Sequence, residues 1–205
     1  MKNSLFFSLS FLLIISLYSC KKKDLIYTIT GTITDASFSN PLANATVVIR
    51  VNKNGSYKTQ ATLSTDSNGK YSYELPRDEY LGVSISFSKE KYFDEEKSST
   101  LQNLSLDKEN TFDFTVYAKS WVKIHLISDG SKQIKLFKQI GKSGCSECCE
   151  AGEVAINYVS DTSVFCINNG NQTYQFLYDV LNSPDSGTRS TITVPFDTTE
   201  IILNY

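Results

Sequence analysis

Residues 31–75 read GTITDASFSNPLANATVVIRVNKNGSYKTQATLSTDSNGKYSYEL, and the spacing of β-branched runs and turn residues in this stretch decides the fold class. Just ahead of it and into it, Thr28, Thr30, Thr32 and Thr34 alternate with Ile29, Gly31, Ile33 and Asp35. Successive strand side chains point to opposite faces, so this is a two-faced strand with both isoleucines on one side. Asn40-Pro41 marks a turn, because proline fixes its own φ and biases the preceding residue away from helix. Ala45 to Val51 is β-branched and apolar enough for a central strand. Thr65-Asp66-Ser67-Asn68-Gly69-Lys70 carries the Asn-Gly pair expected of a primed hairpin turn, and Tyr71, Tyr73 and Leu75 alternate after it.

Three groups of residues in this stretch carry a family likeness: Gly31-Thr32-Ile33-Thr34-Asp35, Pro41-Leu42-Ala43-Asn44-Ala45-Thr46-Val47 and Thr65-Asp66-Ser67-Asn68-Gly69-Lys70-Tyr71. In order and spacing they resemble the carboxypeptidase regulatory-like family, a transthyretin-like β-sandwich module, from about residue 27 to residue 117. The resemblance implies a fold. The family is an accessory module on unrelated proteins, and fold analogy alone licenses no activity.

The N-terminus predicts an address. Lys2 precedes an apolar run from Leu5 to Leu17 interrupted only by serines, followed by Leu17-Tyr18-Ser19-Cys20 and Lys21-Lys22-Lys23-Asp24. A basic start, an apolar segment too short to span a bilayer comfortably and a small residue before the break read as a secretory signal. With a cysteine at the break it looks like a bacterial lipoprotein signal, which implies cleavage after residue 19 and lipidation of Cys20. Residues 20–26 are then a lipidated tether. Each lysine of Lys21–Lys23 is worth roughly 1 kcal/mol beside an anionic leaflet. No acidic run follows Cys20, which favours the periplasmic face of an outer membrane over the cell surface.

The chain has 205 residues with 20 Lys+Arg, 22 Asp+Glu and one histidine. Removing residues 1–19 takes away only Lys2 and leaves a net charge of −3. No basic block lies beyond the tether, so nucleic acid is not an expected partner. Threonine, serine, aromatic and β-branched residues favour strands over helices. Leu81, Val83, Ile85 and Phe87 alternate against Ser84, Ser86 and Ser88, and Phe112, Phe114 and Val116 form a last strand of a first domain spanning 27–118. About seven strands suffice for a sandwich of ~100 residues. Trp121 to Ser128 restarts the alternation. Further strands are expected over 134–140, 154–159, 163–167, 174–181, 191–195 and 201–205, although Phe176, Leu177 and Val180 also fit a short helix. Asn168-Asn169-Gly170-Asn171 is a hairpin signal and Ser183–Gly187 a loop. Residues 119–205 thus read as a second all-β domain resembling no family that we recognise.

Cys145, Cys148, Cys149 and Cys166 are the densest chemistry in the chain. An even count in an exported protein predicts disulfides. Joining the adjacent Cys148 and Cys149 is strained. Two pairings remain: Cys145–Cys149 with Cys148–Cys166, or Cys145–Cys148 with Cys149–Cys166. Zinc is the sharp alternative, on the C-x-x-C spacing of Cys145 and Cys148. A redox C-x-x-C lacks its usual strand-helix-strand surroundings. His125 is the sole histidine, so a zinc-peptidase site of two histidines cannot form and any Ser-His-Asp triad must use it; no nucleophile-elbow motif is present. Asp66–Gly69 lacks the ligands of a calcium loop, and nothing selects a catalytic pair among Glu95, Glu96, Asp107 and Glu109.

These readings predict no enzyme, no cofactor and no metal, but a lipid-anchored envelope protein with a spacer or docking module followed by a partner-binding domain. The expected partners are the membrane, through Cys20, and an envelope protein. The alternative is a glycan held by exposed aromatics of the second domain. Trp121, Tyr174 and Tyr178 are the candidate binding aromatics, with Tyr92 and Phe93 beside them in the first domain.

Overall fold

The computed structural model describes residues 25–149 and 152–205. The leader, Cys20 and Lys21–Lys23 lie outside these. Among the described residues no helix is long and apolar enough to cross a membrane. The chain is all-β. Strands β1 (Ile26–Asp35), β2 (Asn40–Pro41), β3 (Thr46–Lys53), β4 (Ser56–Ser64), β5 (Lys70–Pro76), β6 (Gly82–Ser88), β7 (Glu95–Thr100), β8 (Asn110–Thr111) and β9 (Phe114–Val116) build a first sandwich. Strands β10 (Lys119–Ile127), β11 (Gln133–Ile140), β12 (Glu153–Asn157), β13 (Asp161–Asn169), β14 (Thr173–Val180), β15 (Ser186–Ile192) and β16 (Thr198–Asn204) build a second.

In the first sandwich β1 is the centre of one sheet, flanked by β5 on one side and β8 and β9 on the other, with β2 on its end. The facing sheet runs β4-β3-β6-β7. The period-two pattern of β1 puts Ile29 and Ile33 inward, where they meet Val47 and Ile49 of β3, Ile85 and Phe87 of β6, and Phe114. Each such side chain removed from water contributes about 1.5–3 kcal/mol. Several expectations change. Asn40-Pro41, expected as a turn, pairs with Asp35 and Thr34 as β2. Leu81 is exposed because β6 starts only at Gly82. Tyr92, read as a loop aromatic open to a partner, is buried, with its hydroxyl donating to Asp35 at 2.6 Å.

The second sandwich packs a β13-β10-β16 sheet on a β12-β11-β14-β15 sheet. Its core is separate: Val122, Ile124 and Leu126 of β10 lie against Leu136, Phe176, Tyr178 and Leu203. Residues 173–180 are a strand, not the short helix their spacing also allowed. The sixth strand of this sandwich is Ser186–Ile192, so it takes in the last two residues of the expected 183–187 loop and ends within the strand expected over 191–195.

Set side by side, the two sandwiches have one topology. In each, the first strand lies antiparallel to the strand that crosses back (β5, β13) and parallel to the closing strands (β8 and β9, or β16). In each, the second long strand (β3, β11) pairs antiparallel with the next strand and with the fifth, whose other edge carries the sixth. The motif residues of 31–71 do not recur after residue 118, yet the chain repeats the arrangement.

Turn chemistry shows why the loops were harder to read. Asn54-Gly55, with φ of 56° and 81°, closes the β3–β4 hairpin in the two-residue primed geometry. Asn68-Gly69 does not close a hairpin. Only Gly69 takes a positive φ there, and the chain crosses from β4 in one sheet to β5 in the other. Asp66 Oδ1 holds this crossing by accepting from Asn68 and Lys70 amides at 2.9 and 2.8 Å. Asn168–Asn171 likewise carries β13 over to β14 in the opposite sheet.

The junction between the sandwiches is built from the first turn of one and two loops of the other. Ser37 Oγ donates to Gly170 O and accepts from the Ala118 amide, both at 3.0 Å, and Asn171 Nδ2 donates to Ser37 O at 2.6 Å. Phe196 lies stacked on Phe38 and edge-on to Tyr92, with centroids 5.9 and 5.5 Å apart.

Candidate docking face

The strand β10 runs through the middle of its sheet, and alternation sends Trp121, Lys123, His125 and Ile127 to the outer face. Register places Phe165 and Glu200 on either side of Lys123, and Ser163 and Ile202 on either side of His125. Phe165 is 61% exposed, Ile202 55% exposed and Trp121 half-buried. The face therefore shows large apolar side chains around a polar centre. Lys123 Nζ lies 2.8 Å from Glu200 Oε1, and the hydrogen bond from Lys123 holds the Glu200 carboxyl below its ordinary range. His125 bridges three strands, with Nδ1 3.0 Å from Glu200 and Nε2 2.8 Å from Asp161. Both ring nitrogens can donate at once only when the imidazole is protonated. Both face carboxylates, and among the described residues neither is hydrogen-bonded to a serine. His125 is a cross-strand tie.

The predicted aromatics divide. Tyr174 is 1% and Tyr178 5% exposed, so neither is a binding platform. Both face inward from β14 because this strand is the centre of its sheet and its even positions point at the core. Burial pushes the Tyr174 phenol up to about 12, and its hydroxyl donates to Cys166 Sγ at 3.2 Å. Tyr178 packs opposite Gly187, its ring under Arg189 and its hydroxyl donating to Asp185 at 3.1 Å. Half-buried Phe93 takes the Lys142 ammonium 4.3 Å from its centroid, across the junction. Of the three candidates in the second sandwich, Trp121 alone is partly exposed. The residues missed were Phe165 and Ile202. The signal for them is present: Val164-Phe165-Cys166-Ile167 and Ile201-Ile202-Leu203 are unbroken apolar runs, and a strand apolar at consecutive positions has both faces apolar.

The four described cysteines form Cys145–Cys148 and Cys149–Cys166, which leaves none of these four as a thiolate for zinc. Among the described residues no group of three or more His, Cys, Asp or Glu side chains could hold a metal ion. Cys149–Cys166 ties the β11–β12 loop to β13 of the opposite sheet, and Lys138 Nζ holds the same loop through Lys142 O and Cys148 O at 2.6 and 3.0 Å. Replacing Cys149 and Cys166 together by serine is expected to cost about 3 kcal/mol in denaturant unfolding, from lost loop-closure entropy alone. The Cys145–Cys148 pair closes a shorter loop, so the matching double substitution costs less.

The geometry is that of two all-β sandwiches in tandem, one of them with exposed apolar side chains around a polar centre on its outer face. Residues 28–117 match the carboxypeptidase regulatory-like domain, so the family likeness read from the motifs holds across the first sandwich. Among curated proteins none matches the sequence. Solved structures with a similar path include the Bacillus anthracis TIE protein, at 13% identity and TM-score 0.39, over 88% of this chain and 34% of that one. Catechol 1,2-dioxygenase from Acinetobacter sp. ADP1 is similar at 15% identity and TM-score 0.36, over 49% of this chain and 55% of that one. The shaft pilin SpaA from Lactobacillus rhamnosus GG is similar at 10% identity and TM-score 0.34, over 87% of this chain and 97% of that one. The chain thus spans about a third of the TIE protein and about half of the dioxygenase. At this level of likeness their activities are not carried over.

Proposed function

We propose that this is a non-catalytic, lipid-anchored docking protein of a bacterial cell envelope. Cys20 holds it to the outer membrane, on the periplasmic side, and the first sandwich spaces the second from the lipid. The second presents the outer face of β13-β10-β16 to an envelope protein. The observation that carries this reading is the exposure of Phe165 and Ile202, which flank Lys123 and His125, on the same sheet face as Trp121. Exposed aromatic side chains are common anchors of protein interfaces, and here they stand around an ion-paired centre of Lys123, His125 and Glu200. The glycan reading has lost two of its three aromatics, Tyr174 and Tyr178, to the core.

Two substitutions test the two halves. Cys20→Ser is expected to move the protein from the membrane fraction to the soluble fraction; continued membrane retention contradicts the anchor. In cells crosslinked and extracted with a tagged copy, Phe165→Asp is expected to abolish recovery of a discrete partner that the unchanged protein retains. Equal recovery by both contradicts the docking face. Phe165 is on the surface, so this change leaves the core intact.

A further inference from the structure

The first sandwich ends on two different surfaces. Among its described residues and Leu25 just ahead of them, the large apolar side chains left exposed are Leu25, Phe38, Tyr57 and Leu81. Phe38 stands at the junction, against Phe196. The other three gather at the opposite end, where β1 begins. There the Arg77 amide donates to Leu25 O at 2.9 Å, the Leu81 amide to Asn52 O at 2.8 Å and the Leu101 amide to Leu81 O at 3.3 Å. Tyr57 lies opposite that same Asn52 on β4. Tyr80 and Leu101 are half-buried and line one hollow with Leu81 and Arg77. The charges of this end cancel: Lys53 pairs with Asp78 at 2.7 Å, and Arg77 and Glu79 are of opposite sign.

We propose that this end rests directly on a phospholipid surface, with Leu25, Tyr57 and Leu81 set among the headgroups. The inference rests on the lipid anchor at Cys20. Cys20 stands five residues before Leu25, a span of at most about 17 Å even when fully extended. A lipid on Cys20 therefore keeps this end, and not the junction end, against the bilayer. The gap is too low for a folded partner, since a domain of 100 residues has a radius of gyration of about 13 Å and is more than twice that across. Lipid is the occupant that remains. The chemistry agrees. Lys21–Lys23, against the single Asp24, make the span cationic and suit anionic headgroups. Leucines with tyrosines at their rim suit the boundary between headgroups and acyl chains, where an aromatic ring is half wet. The ten residues of β1 then lead about 33 Å from this end to the junction, which raises the second sandwich and its docking face above the lipid.

The contact is tested on residues 20–205 coupled through the Cys20 thiol to a maleimide lipid, in vesicles of phosphatidylethanolamine and phosphatidylglycerol. The other four cysteines are paired, so Cys20 alone couples. Gln102, exposed beside Leu101, takes a tryptophan reporter (Gln102→Trp) in a Trp121→Phe background, which removes the one native tryptophan. Its emission is expected to shift to the blue on coupling. It is also expected to fall by about half when the lipids are brominated near the headgroup end of their chains, where an interfacial apolar face sits. Ser67→Trp, exposed at the other end of the sandwich, is expected to do neither. Adding Leu81→Asp, a surface change, is expected to return the Gln102→Trp emission to its value in buffer. Quenching of neither reporter, equal quenching of both, or full quenching kept by Leu81→Asp overturns the proposal. The coupling supplies the anchor chemically, so these outcomes bear on the contact alone, while fractionation of Cys20→Ser bears on the anchor.

Discussion

Replacing Asp35 by alanine is expected to cost about 3–5 kcal/mol and to split one thermal transition into two. Asp35 ends β1 and is 3% exposed. Its Oδ1 accepts from the Ser37 and Phe38 amides at 2.8 and 3.3 Å, and its Oδ2 accepts from Tyr92 at 2.6 Å. Alanine leaves three donors unpaired in a dry site, each costing ~1–3 kcal/mol. Tyr92 stays a donor at all ordinary pH, since burial first and then the Asp35 hydrogen bond push its phenol well above the usual range. The same carboxylate shapes the turn that joins the sandwiches. It sets the place of Ser37, which bonds to Gly170, and of Tyr92 and Phe38, which hold Phe196 between them. Calorimetry of the unchanged protein is then expected to show the two sandwiches melting together, and of Asp35→Ala to show them melting apart. A single unshifted transition in the variant contradicts the junction.

Gly31→Val is expected to be harsher still within the first sandwich. A Cβ at Gly31 comes within 2.2 Å of Phe112 O and 2.6 Å of the Tyr71 hydroxyl. Tyr71 lies directly opposite on β5, and its hydroxyl donates to that same Phe112 carbonyl at 2.6 Å. The nearest obstacle is backbone, which cannot swing aside as a side-chain tip can. The bond from Tyr71, and with it the approach of the β8–β9 segment to β1, has to open. A loss of about 4 kcal/mol or more in denaturant unfolding is expected, against about 1 kcal/mol for an ordinary substitution. A loss under about 1 kcal/mol shows that the segment shifts freely and that the Gly31–Tyr71 pair is not a constraint.

The strands and their inward faces were legible because burial on one side of a sheet writes a period of two into the sequence, as at Ile29, Ile33, Val122, Ile124 and Leu126. What was not legible is where a turn sends the chain. Asn54-Gly55 and Asn68-Gly69 are the same dipeptide, and only the first closes a hairpin. The difference lies in partners far along the chain: Gly69 O accepts from the Ile33 amide at 2.8 Å, which pulls the crossing onto β1. The topological repeat was hidden for a related reason. Two sandwiches share strand order through pairing, and pairing needs no shared residues. The candidate face was half legible. Trp121 could be placed on a strand, but whether an aromatic at an alternating position is core or surface depends on which phase faces the other sheet. For Tyr174 and Tyr178 that phase was the inner one, whereas Phe165 fell on the outer.

The central claim is that the β13-β10-β16 face meets a protein in the envelope, and the most direct measurement is site-specific photocrosslinking in intact cells. A photoreactive phenylalanine analogue placed at residue 165 is expected to give a discrete adduct of higher mass. The same group at residue 188, exposed on the opposite sheet of the same sandwich, is expected to give none. No adduct from residue 165, or one equal to that from residue 188, contradicts the account.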